Sequence, residues 1–262
     1  MGRYYLFDHR WEQERDRLDL LQRTFDPATL SCLGELPVPV GGRCLEVGGG
    51  AGSIARWMCE RVGPTGRVLA TDLETDFLEL LTEENLEVRR HDVVIDELED
   101  GVFDLVHARL VLSHIPERDL ALKRLAAALR PGGWLVVEEF DMEALRAAPN
   151  CAGGDLLDRA NRAMWGAMTA AGYDGRYGPR LPLEFRAAGL VELGARGHVG
   201  VALAGTPAAG WWHLNLVKFR SAIMAAGATE AEADEVAGMT DRDGFCMQYP
   251  ILFSTWGRRP TG

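Results

Sequence analysis

Glycine recurs at every second position directly after a short apolar run. Gly48, Gly50 and Gly52 follow the segment 44–47, and a helical pattern begins after them. A strand, a glycine-rich turn and a helix in this order form the first unit of a nucleotide-binding α/β sheet. Glu46, two residues before the first glycine, adds a negative charge that suits a cationic ligand and would repel a pyrophosphate. A turn that only packs the strand against the helix is the simpler alternative.

A carboxylate ends the second predicted strand. Residues 67–72 form this strand, and Asp72 lies 20 residues after Gly52. At that position a carboxylate accepts hydrogen bonds from both hydroxyls of a ribose. A helix N-cap function for Asp72 or Thr75 is the alternative. We favour the ribose contact because its position agrees with the glycine turn.

The composition indicates a soluble α/β protein without nucleic-acid or membrane partners. The chain has 262 residues, 47% of them hydrophobic, and a formal net charge of −11. A strongly acidic surface argues against nucleic acid and anionic membranes. Five cysteines without a C-x-x-C pair, and no apolar signal segment, predict reduced thiols and a cytoplasmic location. Lys123 and Lys218 are the only lysines, an arginine bias typical of high-GC bacterial genes.

Strand and helix patterns alternate along the chain. The predicted strands are 44–47, 67–72, 85–93, 103–109, 134–139, a sixth starting at 189–193 and a seventh reached through 245–253. The predicted helices cover 9–24, 27–36, 117–129, 155–171 and 181–188, and two more start at 206 and 230. Asp26-Pro27 is the N-cap and first residue of the second of these helices.

Three motifs together resemble motifs of the class I S-adenosylmethionine (SAM) methyltransferases. They are Glu46-x-Gly48-x-Gly50-x-Gly52, Asp104-Leu105-Val106 in strand four, and Arg130-Pro131-Gly132-Gly133 in the turn before strand five. Over residues 43–140 the chain is most similar to the bacterial small-molecule group and to ubiquinone/menaquinone-biosynthesis C-methyltransferases. The resemblance implies an α/β, Rossmann-like sheet of seven strands, order 3-2-1-4-5-7-6, with helices on both faces and an antiparallel seventh strand.

The resemblance also implies the cofactor and its contacts. SAM is the expected cofactor, with S-adenosylhomocysteine (SAH) as the product. By position, Asp92 accepts from the exocyclic amine of adenine and Val93 packs on the ring. The predicted cofactor-binding residues are Glu46, Gly48, Gly50, Gly52, Asp72, Leu73, Asp92, Val93 and Arg109. No metal site is predicted, since His107-Ala108-Arg109 stands where metal-dependent members of this fold place carboxylates after strand four.

A general base is needed only if the methyl acceptor must lose a proton. The candidates are His114, just past strand four, Glu139 and Asp141, which end strand five, and His213, beside two tryptophans. Each has a structural alternative. His114 can cap the next helix, Glu139 can pair with an arginine, and His213 can be a surface residue.

We interpret the chain as one domain. Its parts are an N-terminal helical segment (1–42), a SAM-binding core (43–140), the rest of the sheet (141–204 and 244–262) and a helical insert (205–243). The apolar insert is interpreted as a cap over the substrate pocket, with a homodimer contact as the alternative.

The predicted function is methyl transfer to a small, largely apolar metabolite, in secondary metabolism. O-, N- and C-methylation are not distinguished. Two alternatives remain open. One is a NAD(P)-dependent oxidoreductase, supported by Gly50-x-Gly52-x-x-Ala55. The other is a catalytically inactive SAM-fold subunit that only binds.

Overall fold

The structure, a computed structural model, describes residues 10–261. In this range the strands are β1 Arg43–Val47, β2 Arg67–Asp72, β3 Leu86–Arg90, β4 Phe103–Arg109, β5 Leu129–Asp141, β6 Arg146–Ala147, β7 Val191–His198, β8 Val201–Leu203, β9 Cys246–Gln248 and β10 Ile251–Arg258. The α-helices are α1 Glu14–Gly34, α2 Ser53–Val62, α3 Arg118–Ala128, α4 Gly154–Ala170, α5 Tyr177–Ala187, α6 Pro207–Lys218, α7 Arg220–Ala225 and α8 Glu230–Gly238. None of them is long and apolar enough to cross a membrane.

Seven strands form the main sheet in the order β3-β2-β1-β4-β5-β10-β7. Counted along the chain within this sheet, the order is 3-2-1-4-5-7-6, so the predicted topology is confirmed. The strands from β3 to β5 are parallel, and β10 runs antiparallel to both β5 and β7. The five parallel strands therefore have their carboxyl ends at one edge, where an open α/β sheet binds its ligands.

Helices cover both faces of this sheet, as predicted. Successive residues of a strand point to opposite faces, so neighbouring apolar residues pack on different helices. The residues that pack with α1 and α2 are Cys44, Val68, Leu105 and Val136. Their sequence neighbours, which pack with α3 and α5, are Leu45, Leu69, Val106 and Val137.

The prediction of two N-terminal helices is wrong, because α1 continues through Pro27 without a break. Proline in a helix interior costs about 3 kcal/mol. The apolar face continues across it, since Leu21 and Phe25 before the proline and Cys32 and Leu33 after it are all buried. Burial of this face at a regular helical spacing outweighs the local cost. Residue 9, where the first helix was expected to begin, lies outside the described residues.

Two predicted strand boundaries are also corrected. The segment 245–253 was expected to lead directly into the last strand. It contains β9, which pairs with β6 and β8 in a separate three-stranded sheet. The Arg130-Pro131-Gly132-Gly133 segment, expected as a turn, lies inside β5, which begins at Leu129. The register of its pairing with β4 shifts between Phe103 and Leu105. The irregular segment of β5 opposite this shift contains Gly132, which has a positive φ of 80°.

Candidate active site

The glycine turn after β1 borders a cavity of about 980 Å³. Gly48 and Gly52 have φ angles of 68° and 86°, in the left-handed region that favours glycine. A Cβ on Gly48 would lie 2.3 Å from Val111 Cγ2, and a Cβ on Gly52 would lie 2.5 Å from Leu81 Cδ1. The turn therefore needs glycine for close packing as well as for its backbone angles. Gly48 and Gly50 line the cavity, while Gly52 lies behind it at the N-cap of α2.

Asp72 lines the same cavity at the end of β2, together with Leu73. Its Oδ2 accepts a hydrogen bond from the backbone N–H of Gly50 at 3.0 Å, and its Oδ1 accepts from the N–H of Glu74 at 3.3 Å. This carboxylate therefore holds the glycine turn in place from the neighbouring strand. The side chain that was predicted to bind a ribose thus also shapes the turn beside it.

Asp92 and Val93 follow β3 and line the cavity next to the Asp72 position. Asp92 Oδ1 accepts from the N–H of Val94 at 2.9 Å, and the Asp92 N–H donates to Asp96 Oδ2 at 2.8 Å. These bonds fix the loop after β3, and Val93 is buried beneath it. The structure therefore places Glu46, Asp72 and Asp92, from three adjacent strands, around one cavity.

Arg109 also borders the cavity, but its guanidinium is engaged with α1. It donates to Asp26 Oδ1 at 2.9 Å and to Thr29 Oγ1 at 2.8 Å. Helix α1 is thereby held over the end of β4, and its residues Arg17, Leu18, Leu21 and Gln22 line the cavity. None of these four residues is among the cofactor-binding residues predicted from the sequence.

The loop after β4 is held by Glu139, which lies fully buried on β5. Its Oε1 accepts from the N–H groups of Val111 and Ser113 at 3.1 Å each, and its Oε2 accepts from the Ser113 hydroxyl at 2.6 Å. Burial raises the pKa of Glu139 to about 7 against these hydrogen bonds. Leu110, at a φ of 58°, turns the chain out of β4 into this loop. Glu139 itself does not border the cavity.

His114 ends the same loop and does line the cavity. Its ring contacts that of Tyr173 at a centroid distance of 4.7 Å. Burial, with the nearby charges of Arg17 and Arg118, lowers the pKa of His114 to about 3, so its imidazole is neutral at physiological pH. His114 is the candidate base that the structure brings to the cavity.

His213 lies on α6, where its side chain faces α8 and does not border the cavity. Its Nδ1–H donates to the carbonyl of Ala237 at 2.9 Å, and Thr240 donates to the same carbonyl. This contact holds the two helices of the insert together. Asp141 accepts from the N–H of Glu143 at 3.0 Å, which is a turn contact at the end of β5.

The other half of the cavity is apolar and aromatic. Its walls come from the end of β5, from α4 and from α6 of the predicted cap, and they include Phe140, Met142, Met164, Met168, Tyr173, Trp211 and Trp212. The two tryptophans are only 4% and 2% exposed, and they pack in one cluster with Leu216, Phe219 and Ile223 of the insert. In residues 10–261 no group of three or more His, Cys, Asp or Glu side chains is arranged to hold a metal ion.

Comparison with known proteins agrees with this geometry. Residues 45–135 match the family model described as a methyltransferase domain. The ubiquinone/menaquinone biosynthesis C-methyltransferase UbiE of Laribacter hongkongensis is 36% identical over 126 residues, which cover 46% of this chain and 50% of the relative. Methyltransferase str2 of Strobilurus tenacellus is 32% identical over 146 residues, 53% of this chain and 50% of the relative. The chain thus spans about half the length of the curated relatives it matches.

Solved structures share the fold over most of the chain. Phosphoethanolamine N-methyltransferase 2 of Haemonchus contortus, in complex with SAM, aligns with a TM-score of 0.61 and 16% identity, over 99% of this chain and 61% of that one. The YcgJ protein of a Bacillus species aligns with a TM-score of 0.56 and 13% identity, over 90% of this chain and 100% of that one.

The family model over residues 45–135 and the strand order of the main sheet are both similar to those of the class I SAM-dependent methyltransferases. Among these proteins, the UbiE C-methyltransferases are similar to the chain in sequence. The resemblance expected from the sequence motifs is therefore confirmed.

Proposed function

We propose that the chain binds SAM at the carboxyl edge of β1, β2 and β3 and transfers its methyl group to a small, largely apolar molecule. The observation that supports this most is that Glu46, Asp72 and Asp92 line one cavity beside the glycine turn. SAM presents an ammonium group, two ribose hydroxyls and an exocyclic amine, all of which are hydrogen-bond donors. Three carboxylates suit these donors, whereas Glu46 would repel the pyrophosphate of NAD(P).

The residues around the cavity fit this cofactor one by one. Glu46 Oε2 already accepts from His107, and in residues 10–261 no hydrogen bond to its Oε1 is found, so this oxygen can receive the ammonium group. Asp72 would receive the ribose, with Leu73 beside it, and Asp92 and Val93 would receive the adenine. Gly48 and Gly50 let the backbone approach the ligand, and Gly52 shapes the turn. Arg109 would act indirectly, by holding α1 over the site.

The apolar half of the cavity supports an aromatic or isoprenoid acceptor. Aromatic rings and methionine side chains give a flexible apolar wall, and such walls favour uncharged ligands. The names of the UbiE relatives refer to ubiquinone and menaquinone biosynthesis, which supports a small-molecule acceptor for this chain too. We extend this proposal to secondary metabolism and to a cytoplasmic location.

Orientation and exclusion of water are the main contributions expected from the protein. When bound, SAM supplies a methyl group activated by its sulfonium. The one cavity would hold the cofactor and the acceptor side by side, and such positioning can provide much of the rate enhancement. His114 is neutral, so it can accept or donate a hydrogen bond to an acceptor oxygen or nitrogen and orient it. With its pKa near 3 it is a weak proton acceptor.

We propose that the insert 205–243 is a cap that belongs to the substrate cavity. Trp211 and Trp212 on α6 line the cavity, and most other large apolar residues of the insert are buried in this chain, namely Leu214, Leu216, Phe219, Ile223 and Met239. Burial within the chain removes the main reason to infer a homodimer contact, because little of that apolar surface remains for a partner.

Methyl transfer can be tested directly with SAM labelled in its methyl group. The protein is incubated with labelled SAM and a panel of phenols, quinols and isoprenoid alcohols, and charged amines serve as the control panel. We expect label in an apolar acceptor and stoichiometric SAH. Binding of SAM without label transfer to either panel would instead indicate a subunit that only binds, and transfer to the charged amines would contradict the apolar acceptor.

A further inference from the structure

Three ionisable side chains lie in a row across the centre of the sheet, buried from water. Glu46 on β1 lies directly opposite His107 on β4 in the strand register. His107 Nδ1 is 2.7 Å from Glu46 Oε2, and His107 Nε2 is 3.4 Å from Glu138 Oε2 on β5. Glu46 is 3% exposed, and the other two side chains are completely buried. Of the three, only Glu46 borders the cavity.

The far end of this row is anchored by neighbouring elements. Glu138 accepts hydrogen bonds from the hydroxyls of Thr29 on α1 and Ser254 on β10. Thr29 in turn accepts from the Arg109 guanidinium at 2.8 Å. Glu138 is therefore held from both sides, and the imidazole of His107 spans the distance between this fixed carboxylate and the one that faces the ligand.

The charges within the row depend on one another. Burial acts to lower the pKa of His107, but the two adjacent carboxylates raise it to about 9. Glu138 has a lowered pKa, because contacts with His107, Arg109 and Ser254 outweigh its burial. Burial raises the pKa of Glu46, against the opposing effect of His107 and Arg109. Glu46 is therefore the carboxylate whose charge depends on the imidazolium beside it.

We propose that His107 is a positioning residue for the cofactor. Through Nδ1–H it fixes the Glu46 carboxyl group with Oε1 toward the cavity, where the ammonium group of the amino acid part of SAM would bind. Through Nε2–H it is anchored to Glu138. This inference rests on the proposed function, since it concerns the same cofactor site. A histidine that only joins three strands would instead support the fold without affecting which part of the ligand is bound tightly.

Two substitutions of His107 separate its two contacts. In His107→Asn the amide nitrogen replaces Nδ1 and can still donate to Glu46. In His107→Gln the amide nitrogen replaces Nε2 and can donate to Glu138, but the donor to Glu46 is lost. His198→Asn is the matched control, because His198 bonds to Tyr249 and does not border the cavity.

Two ligands separate the positioning of Glu46 from a general effect on the site. SAH contains the ammonium group, whereas methylthioadenosine contains the adenine, ribose and sulfur without the amino acid part. Calorimetry with both ligands is done on the wild type and the three variants. For His107→Gln we expect SAH affinity to fall about 10- to 100-fold, the range for a hydrogen bond to a charged group, with methylthioadenosine affinity unchanged within about 2-fold. For His107→Asn and His198→Asn we expect SAH affinity within about 3-fold of the wild type.

Each outcome decides the proposal. Loss of SAH and methylthioadenosine affinity together, or wild-type SAH affinity in His107→Gln, would overturn it. If the variants do not fold, nitrogen NMR of the wild type gives the answer. We expect the His107 ring to carry both protons at pH 7.5 and its Nδ1 signal to shift on addition of SAH but not of methylthioadenosine. A neutral ring, or equal shifts with both ligands, would overturn the proposal. Failure of the wild type to bind SAM or SAH at all would instead refute the proposed function.

Discussion

Replacing Glu139 with Gln separates the two functions that this buried carboxylate can have. As a base it would remove a proton from the acceptor, and as a structural group it holds the loop 110–114. In the structure its oxygens accept from the N–H groups of Val111 and Ser113 and from the Ser113 hydroxyl. A Gln side chain keeps one oxygen for the two N–H groups, and the hydroxyl can rotate to accept from the new amide nitrogen. We therefore expect the loop to remain intact.

The magnitudes differ enough to be decisive. Loss of a general base lowers turnover about 10²- to 10⁴-fold, whereas a preserved loop should keep turnover within about 3-fold. Glu139→Ala leaves two N–H groups and a hydroxyl without this partner, at roughly 1–3 kcal/mol each, so the free energy of unfolding should fall by about 3–9 kcal/mol. Turnover should then be lost together with the loop.

The stability of the Gln variant should also depend on pH in a defined direction. Burial raises the pKa of Glu139 from 4.5 to about 7 in the folded protein. The contribution of Glu139 to the free energy of unfolding is therefore most favourable below pH 4.5, and it is lost as the pH rises through 7. Because Gln does not titrate, the free energy of unfolding of Glu139→Gln should increase relative to the wild type between pH 5 and 8, by about 3 kcal/mol at most.

The assays are transfer of labelled methyl to the acceptor identified by screening, and urea unfolding at pH 5 and 8. A folded Gln variant that retains SAM affinity but loses more than about 100-fold in turnover would show that Glu139 is the base. Equal pH dependence of unfolding in the wild type and the Gln variant would show that the carboxylate is not destabilised by burial.

Three further substitutions are predicted to have specific effects. Asp72→Ala should weaken SAM binding in calorimetry about 10- to 100-fold, because charge-assisted hydrogen bonds are worth roughly 1.5–3 kcal/mol; unchanged affinity would refute the ribose contact. Gly48→Ala places a Cβ 2.3 Å from Val111 Cγ2, so SAM affinity should fall at least about 10-fold. Gly101→Ala is the control variant, because Gly101 has a similar φ of 72° and a Cβ there would meet no atom within 4 Å. An equal loss of SAM affinity in both variants would show that backbone strain, and not the contact with Val111, causes the effect. His107 has a pKa raised from 6.5 to about 9, so it contributes stability that is fully present below pH 6.5 and lost as the pH rises through 9; urea unfolding of His107→Asn should lack this loss.

The glycines and carboxylates that meet at one end of the cavity could be predicted from the sequence, because their signals are local. The glycine turn, Asp72 and Asp92 each lie directly after a short apolar strand, and the carboxyl ends of parallel strands meet at one edge. The order of the main sheet followed from the recognised motifs and is confirmed. Boundaries of β1, β2 and β4 agree within a residue, since each is a short apolar run with clear ends.

The features that could not be predicted depend on contacts between residues that are far apart in the sequence. The row from Glu46 through His107 to Glu138 joins three strands, and no spacing pattern in the sequence indicates it. Continuation of α1 through Pro27 depends on what that helix packs against. His213 stands beside two tryptophans that line the cavity, but its own side chain points to Ala237, because successive helical residues face different directions.

The central claim is that the acidic, glycine-bordered end of the cavity binds SAM. Calorimetry of the wild-type protein with SAM, SAH and NADH, with Asp72→Ala as the matched variant, tests it most directly. We predict saturable binding of SAM and SAH at one site, at least about 10-fold weaker binding in the variant, and no binding of NADH. Binding of NADH in preference to SAM, or SAM affinity that does not depend on Asp72, would contradict the account.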